Sequence, residues 1–90
     1  MAEVLWALGD PVRLHIVRLA AERERACNEF ELDLPVSTLS HHFKVLHEAG
    51  VIDRRRDGTR LLTFVCRAEL DRDYPGLLDA VLRNPGKAGG

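Results

Sequence analysis

The 90-residue chain lacks several of the features that would place it in a specialised class. No stretch approaches the ~20 consecutive apolar residues that a membrane-spanning helix needs, so no membrane partner is expected. The N-terminus lacks the basic-then-apolar layout of a secretory signal, and a cytoplasmic location is the expectation that follows. Only two cysteines occur, Cys27 and Cys66. They are too few for a disulfide framework and too far apart for a CxxC metal or redox motif. There is no nucleophile–base motif, no glycine-rich phosphate loop and no convincing carboxylate pair, so an enzyme is not expected. An internal repeat is also missing, as is any excess of one charge: 13 lysines and arginines face 14 aspartates and glutamates.

That balance argues against a nucleic-acid partner only until the charges are located. From Val36 to Arg67 the cations are Lys44, Arg54, Arg55, Arg56, Arg60 and Arg67, against Glu48, Asp53 and Asp57 alone. The rest of the chain is correspondingly acidic. Phosphate binding needs a local basic surface, not a basic protein.

The length suits one domain, taken as residues 1–83, with a Pro/Gly-rich flexible tail at 84–90. So small a domain buries a modest share of its surface, which favours pairing of subunits. Along the chain, Glu3–Leu8 reads as a short helix with Val4, Leu5 and Leu8 apolar, ended by Gly9. Asp10-Pro11 restarts the chain, because aspartate caps helices and proline suits the first helical position. The helix at Pro11–Arg23 carries two apolar stripes, Val12-Ile16-Leu19 and Leu14-Val17-Ala21, as a strut between layers would. Glu22–Arg25 reads as a solvated helix end and loop. A short third helix is expected around Asn28–Leu32, with Phe30 and Leu32 as anchors. Val36–Ala49 is helical, with Val36, Leu39, Phe43 and Leu46 as its inward face and Gly50 as its C-terminal cap. Strands at Val51–Arg56 and Thr59–Cys66 flank an Asp57-Gly58 turn. A last helical stretch spans Ala68–Leu82, bent at Pro75. The fold class is mainly α with a β-hairpin, in the order α-α-α-α-β-β-α: a winged helix-turn-helix.

An α-helix fits the major groove of B-DNA, and side chains near its N-terminus reach the base edges. On Val36–Ala49 the outward residues of that half are Ser37, Thr38, Ser40 and His41, hydrogen-bonding groups suited to bases or phosphates. Lys44 follows one turn on. Glu48 would be repelled by phosphates, so the helix is expected to enter by its N-terminal half. The hairpin arginines near the tip suit the adjacent minor groove or its phosphates. Alone, such a run also suits an edge strand that uses charge to prevent aggregation.

Two blocks, Leu8-Gly9-Asp10-Pro11-Val12-Arg13-Leu14 and Ser37-Thr38-Leu39-Ser40-His41-His42-Phe43-Lys44-Val45-Leu46-His47-Glu48-Ala49-Gly50-Val51-Ile52, resemble the ArsR/SmtB family of bacterial winged-helix repressors. The resemblance runs from about Leu5 to Val65. It implies a homodimer paired through its first and last helices, which places Leu5, Trp6, Leu77 and Val81 at the interface. It also implies binding of double-stranded DNA at an inverted-repeat operator. Carried over by position, the groove-facing residues are Ser37, Thr38, Ser40, His41 and Lys44, with Arg56 and Arg60 on the wing. The stretch between Cys27 and Ser37 is shorter than the family pattern and leaves a truncated third helix.

Many members of that family sense metals, metalloids or oxidants. Here Glu29 stands where the arsenic-type signature has a second thiolate beside Cys27, and soft metalloids prefer two or three thiolates. The last helix has no histidine for a zinc-type site, and His15, His41, His42 and His47 contain no i, i+4 pair. No metal or other cofactor is expected. Cys27 and Cys66 form a redox switch only if folding brings their Cα atoms within about 7 Å; otherwise they are small buried hydrophobes. Two alternatives to the DNA-binding regulator therefore stand: a thiol-redox-responsive repressor using Cys27 and Cys66, and a winged-helix module for protein–protein contact. The latter requires apolar residues on the outer face of Val36–Ala49.

Overall fold

The computed structural model describes residues 1–83, so the tail expected at 84–90 lies outside the described residues. The elements are α1 (Ala2–Leu8), α2 (Pro11–Glu22), β1 (Arg25–Ala26), a 3-10 turn (Cys27–Glu29), α3 (Val36–Glu48), β2 (Ile52–Asp57), β3 (Arg60–Val65), α4 (Arg67–Asp73) and α5 (Leu77–Arg83). The strands form one antiparallel sheet in the order β1-β3-β2. Val4, Ala7 and Leu8 of α1, Ile16, Val17 and Ala20 of α2 and Phe43, Val45 and Leu46 of α3 form the core with Val51, Ile52, Leu70 and Leu78.

Asp10 caps α2 as its sequence position implies, accepting from the backbone N–H of Val12 at 2.9 Å and Arg13 at 3.1 Å. One turn into α2, Arg13 is buried. Its guanidinium donates through Nε to the Ala7 carbonyl at 2.7 Å and through Nη2 to the Trp6 carbonyl at 3.3 Å. These carbonyls belong to the last turn of α1, and that of Trp6 also accepts from the Gly9 N–H at 3.1 Å. The third arm of the guanidinium lies 3.2 Å from His42 Nδ1 on α3. Arginine has only donors, so Nδ1 is the acceptor and the imidazole proton resides on Nε2. One side chain thus ties three helices together.

The chain leaves α3 through a Schellman turn. Gly50 adopts φ 81°, Val51 N–H bonds the Leu46 carbonyl and Gly50 N–H bonds the His47 carbonyl, both at 3.0 Å. Left-handed geometry there favours glycine, and the hydrophobic pair that accompanies such turns is Leu46 with Val51, both fully buried. Cys66 N–H then bonds the Val51 carbonyl at 2.9 Å, which fixes where the hairpin starts and ends relative to α3.

Four expectations are corrected. The third helix is reduced to the 3-10 turn, after which the chain runs irregularly to Pro35, with a left-handed φ of 52° at Glu31. Phe30 still anchors this stretch, its ring edge-on to Phe43 with centroids 5.1 Å apart. Glu22–Arg25 is not simply solvated, because Arg25 begins β1, pairs with Thr63 and is buried. Its guanidinium is fully engaged, by the Leu19 carbonyl (2.8 Å), Glu22 (2.7 Å) and the Glu29 carbonyl (3.5 Å). The hairpin turn is displaced by one residue: Asp57 pairs with Arg60, leaving Gly58-Thr59 as the turn, with positive φ at Gly58 (67°) only. That sign pattern belongs to a II′ turn, which needs glycine at its first central position alone. Finally, the last helix is two helices, since the chain breaks at Tyr74–Gly76 with Gly76 at φ 84°. Arg67 spans the break, contacting Asp71 at 3.4 Å and Asp79 at 3.2 Å.

Glu29 closes the truncated segment. Its carboxylate accepts from Ala26 N–H at 2.7 Å and pairs with Arg60 at 2.9 Å. The Ala26 N–H, then Arg60 and Arg23, hold this carboxyl below the usual glutamate value. A depressed carboxyl contributes stability that is complete above its unfolded pKa and is lost as pH falls through the folded one.

Two outcomes follow. Arg13→Ala is expected to destabilise the protein by about 2–3 kcal/mol in urea unfolding, the scale of charged hydrogen bonds lost from a buried site. Arg13→Lys should recover less than half of that, since an ammonium cannot fork across two carbonyls and an imidazole; a lysine variant as stable as the parent would contradict this role. Glu29→Gln should be less stable than the parent at pH 7, with the gap closing as pH falls below 4.5. A gap that stays constant across that range would show that the Glu29 charge contributes nothing.

Candidate nucleic-acid interface

Thirteen residues of α3 complete about three and a half turns, enough to expose one strip and bury another. Phe43 and Leu46 face the core, with Leu39 half-buried beside them and Val45 buried on the flank. Ser37, Ser40, His41, Lys44 and Glu48 are exposed, whereas Thr38 is half-buried. His42 is half-buried and turned to Arg13. Val36 departs from its expected inward position: it is 79% exposed. Side chains of a helix tilt toward its N-terminus, so that of the first residue overhangs the helix end instead of covering the core. Pro35, the residue before it, supplies no side-chain cap.

The strip is held at the middle of α3 and at its C-terminal end. Arg13 and Phe30 grip His42 and Phe43 near its middle, and the Schellman turn fixes its C-terminus. His47 also lies 3.2 Å from Asp53 at the start of β2. The Arg54 N–H, followed by His47, lowers the Asp53 carboxyl below its usual range.

The wing arginines divide into two sets. Arg55 pairs with Glu24 at 2.7 Å and Arg60 with Glu29 at 2.9 Å. Among the described residues, the side chains of Arg54, Arg56 and Lys44 make no salt bridge to a carboxylate, although the Arg54 charge acts at longer range on Asp53. Arg54 is opposite Thr63 and Arg56 opposite Leu61, so these four share one face of the hairpin. Between that face and α3 is a cleft of 320 Å³ lined by Cys27, Ser40, Phe43, Arg54, Leu61 and Thr63. Of the two wing residues singled out in the sequence, Arg56 is free and Arg60 is engaged. Arg54, read from the sequence as one of the hairpin arginines, shares a face with Arg56, as the two-residue period of a strand requires.

The two cysteines do not meet within the chain. Ala26 is opposite Leu62, and antiparallel pairing sends Cys27 towards the hairpin tip. Cys66 lies beyond the other end of β3, and the strand from Leu62 to it covers about 13 Å. Cys27 is exposed, and Cys66 is half-buried with its thiol pKa raised by burial and by Glu69 and Asp53. A raised pKa opposes thiolate chemistry at that position. Among the described residues, no three His, Cys, Asp or Glu side chains cluster as metal ligands, and no helix is long and apolar enough to cross a membrane.

On α1, Leu5 and Trp6 are exposed, 51% and 62%, and Trp6 lines a cleft with His41, Lys44 and Glu48 of α3, while Leu77 and Val81 pack partly against the core. The Arg13 guanidinium sits 4.9 Å from the Trp6 ring centroid, which orients the indole.

Comparison with known proteins agrees with this geometry. Residues 10–54, from the α2 cap into β2, match the bacterial regulatory proteins of the arsR family. An uncharacterized HTH-type transcriptional regulator of Methanocaldococcus jannaschii is 43% identical over 61 residues, covering 64% of this chain and 68% of that protein. The HTH-type transcriptional repressor SmtB of Mycobacterium tuberculosis is 39% identical over 62 residues, covering 67% of this chain but only 46% of the relative. Among solved structures, the homodimeric winged helix-turn-helix DNA-binding domain of a possible ArsR-family regulator from Mycobacterium bovis superposes with a TM-score of 0.72. It is 28% identical and covers 92% of this chain and 78% of that one. With its helix order, its wing and its matched segment in agreement, the chain belongs to the ArsR family of winged helix-turn-helix transcriptional regulators.

Proposed function

We propose that residues 1–83 form a sequence-specific DNA-binding and dimerisation unit that represses transcription as a homodimer on an inverted-repeat operator. The observation that carries this reading is the polar strip Ser37-Ser40-His41-Lys44 beside a hairpin face bearing two arginines, Arg54 and Arg56, that make no salt bridge among the described residues. Such a strip offers hydrogen bonds to base edges, and the wing cations offer charge to phosphates. Thr38, half-buried, contributes from the edge of the strip. The relative named as a repressor and the neighbour described as homodimeric support the regulatory and dimeric parts. In this reading the exposed Leu5 and Trp6 and the partly buried Leu77 and Val81 contribute to the pairing surface. A module for protein contact alone fits less well, since polar side chains dominate the outer face of α3.

The decisive test is a gel-shift titration against genomic fragments at several salt concentrations. The expected result is preference for particular fragments and affinity that falls steeply with salt. Flat salt dependence with no preferred fragment would overturn the reading. Arg56→Ala is expected to weaken binding to all sequences alike and to lower the salt slope by ~1, whereas His41→Ala should change which sequence is preferred. Arg60→Ala should act like Arg56→Ala but with a smaller effect, because Glu29 already engages its guanidinium. Reversed roles for His41 and Arg56 would show that helix and wing have been assigned wrongly. Sedimentation should find a dimer at micromolar concentration; a stable monomer would remove the dimeric part.

A further inference from the structure

The periodicity of α3 assigns Val36 to the core, yet it is 79% exposed, more than Met1, Leu5, Trp6 or Leu61, the other exposed large hydrophobics. A lone exposed valine is ordinary on a protein surface. This one occupies the first residue of a helix whose outward side chains are otherwise polar. It adds little to helix stability there, because β-branched residues are weak helix formers and Pro35 leaves the N-terminus without a side-chain cap. Among the described residues, Val36 belongs neither to the core nor to the hydrophobics packed against it.

We propose that Val36 is a specificity-determining residue that packs against the C5-methyl group of a thymine in the major groove. This role rests on the DNA-binding reading above and on three further points. First, at ~100° per residue Val36 lies about 40° from Ser40 around the helix, so the two share the exposed strip one turn apart. Secondly, a recognition helix contacts bases with its N-terminal residues, and Val36 is the first of them. Thirdly, the thymine methyl is the only apolar feature among the base edges of the major groove, and small apolar side chains read it. Ser37, Ser40 and His41 can exchange donor and acceptor roles, so they discriminate weakly on their own. An apolar contact at their leading edge supplies a distinction they lack: thymine from cytosine at one position of each half-site.

The test begins by selecting the preferred site from a random double-stranded DNA pool with the full chain. Each thymine of that site is then replaced singly by uracil, which removes the methyl group and leaves the pairing edge unchanged. One thymine per half-site should show a loss of about fourfold in affinity, the scale of one buried methyl group. In Val36→Ala that thymine-to-uracil ratio should fall to within twofold of unity. Ser40→Ala should weaken binding while leaving the ratio in place. Matching thermal unfolding of Val36→Ala and the parent would confirm that a surface contact alone was changed. A site with no uracil-sensitive thymine, or an unchanged ratio in Val36→Ala, overturns the role of Val36 while leaving DNA binding intact. If no sequence is enriched from the pool, the DNA-binding reading itself fails, and this inference with it.

Discussion

A guanidinium removed from water must have its donors satisfied, and Arg13 achieves this by joining elements that are otherwise separate in sequence. Two of its arms donate to carbonyls at the end of α1, and the third donates to His42 of α3. Because the interaction is charged and buried, misplacing any one of the three helices leaves a polar group without a partner, at a cost of about 1–3 kcal/mol. The orientation of α3 is therefore set from the side opposite its exposed strip. Asp10 prepares this arrangement by capping the turn of α2 from which Arg13 projects.

The second constraint acts at the other end of α3. The Schellman turn at Gly50 delivers the chain into β2, and the Cys66–Val51 bond closes the base of the hairpin. Helix and wing are thus connected by short, specified geometry instead of a flexible loop. This matters electrostatically because the chain is nearly neutral overall. Its positive surface depends on which arginines remain unpaired. Acidic residues from the segment before α3, Glu24 and Glu29, engage Arg55 and Arg60, leaving Arg54 and Arg56 toward the helix side. The acidic part of the chain tunes the basic part.

Much of this was legible in the sequence. Asp10-Pro11 marked the start of α2, Gly50 the end of α3, and the change from helical to alternating period marked the hairpin. The outward positions Ser37, Ser40, His41 and Lys44 also followed from period alone. What escaped had identifiable causes. Val36 satisfied the helical period but lies at the end of the helix, where a side chain overhangs the core instead of covering it. Arg25 read as part of a solvated loop and Arg13 was assigned no role, because burial of a guanidinium depends on carbonyls supplied by other elements. Pairing partners on the wing were invisible for the same reason. A two-residue strand such as β1 carries too few residues to show alternation, and the one-residue shift of the turn follows from strand register, which local composition does not specify.

The central claim is that α3 and one face of the wing form a single DNA-reading surface held in place from behind by Arg13. The most direct measurement is amide chemical-shift mapping of the isotopically labelled protein as its selected DNA site is added. The account predicts perturbations concentrated in Val36–Lys44 and at Arg54–Arg56, with little change around Ala7, Arg13 and the core of α2. Perturbations centred on α1 or α5, with α3 and the hairpin unaffected, would contradict it.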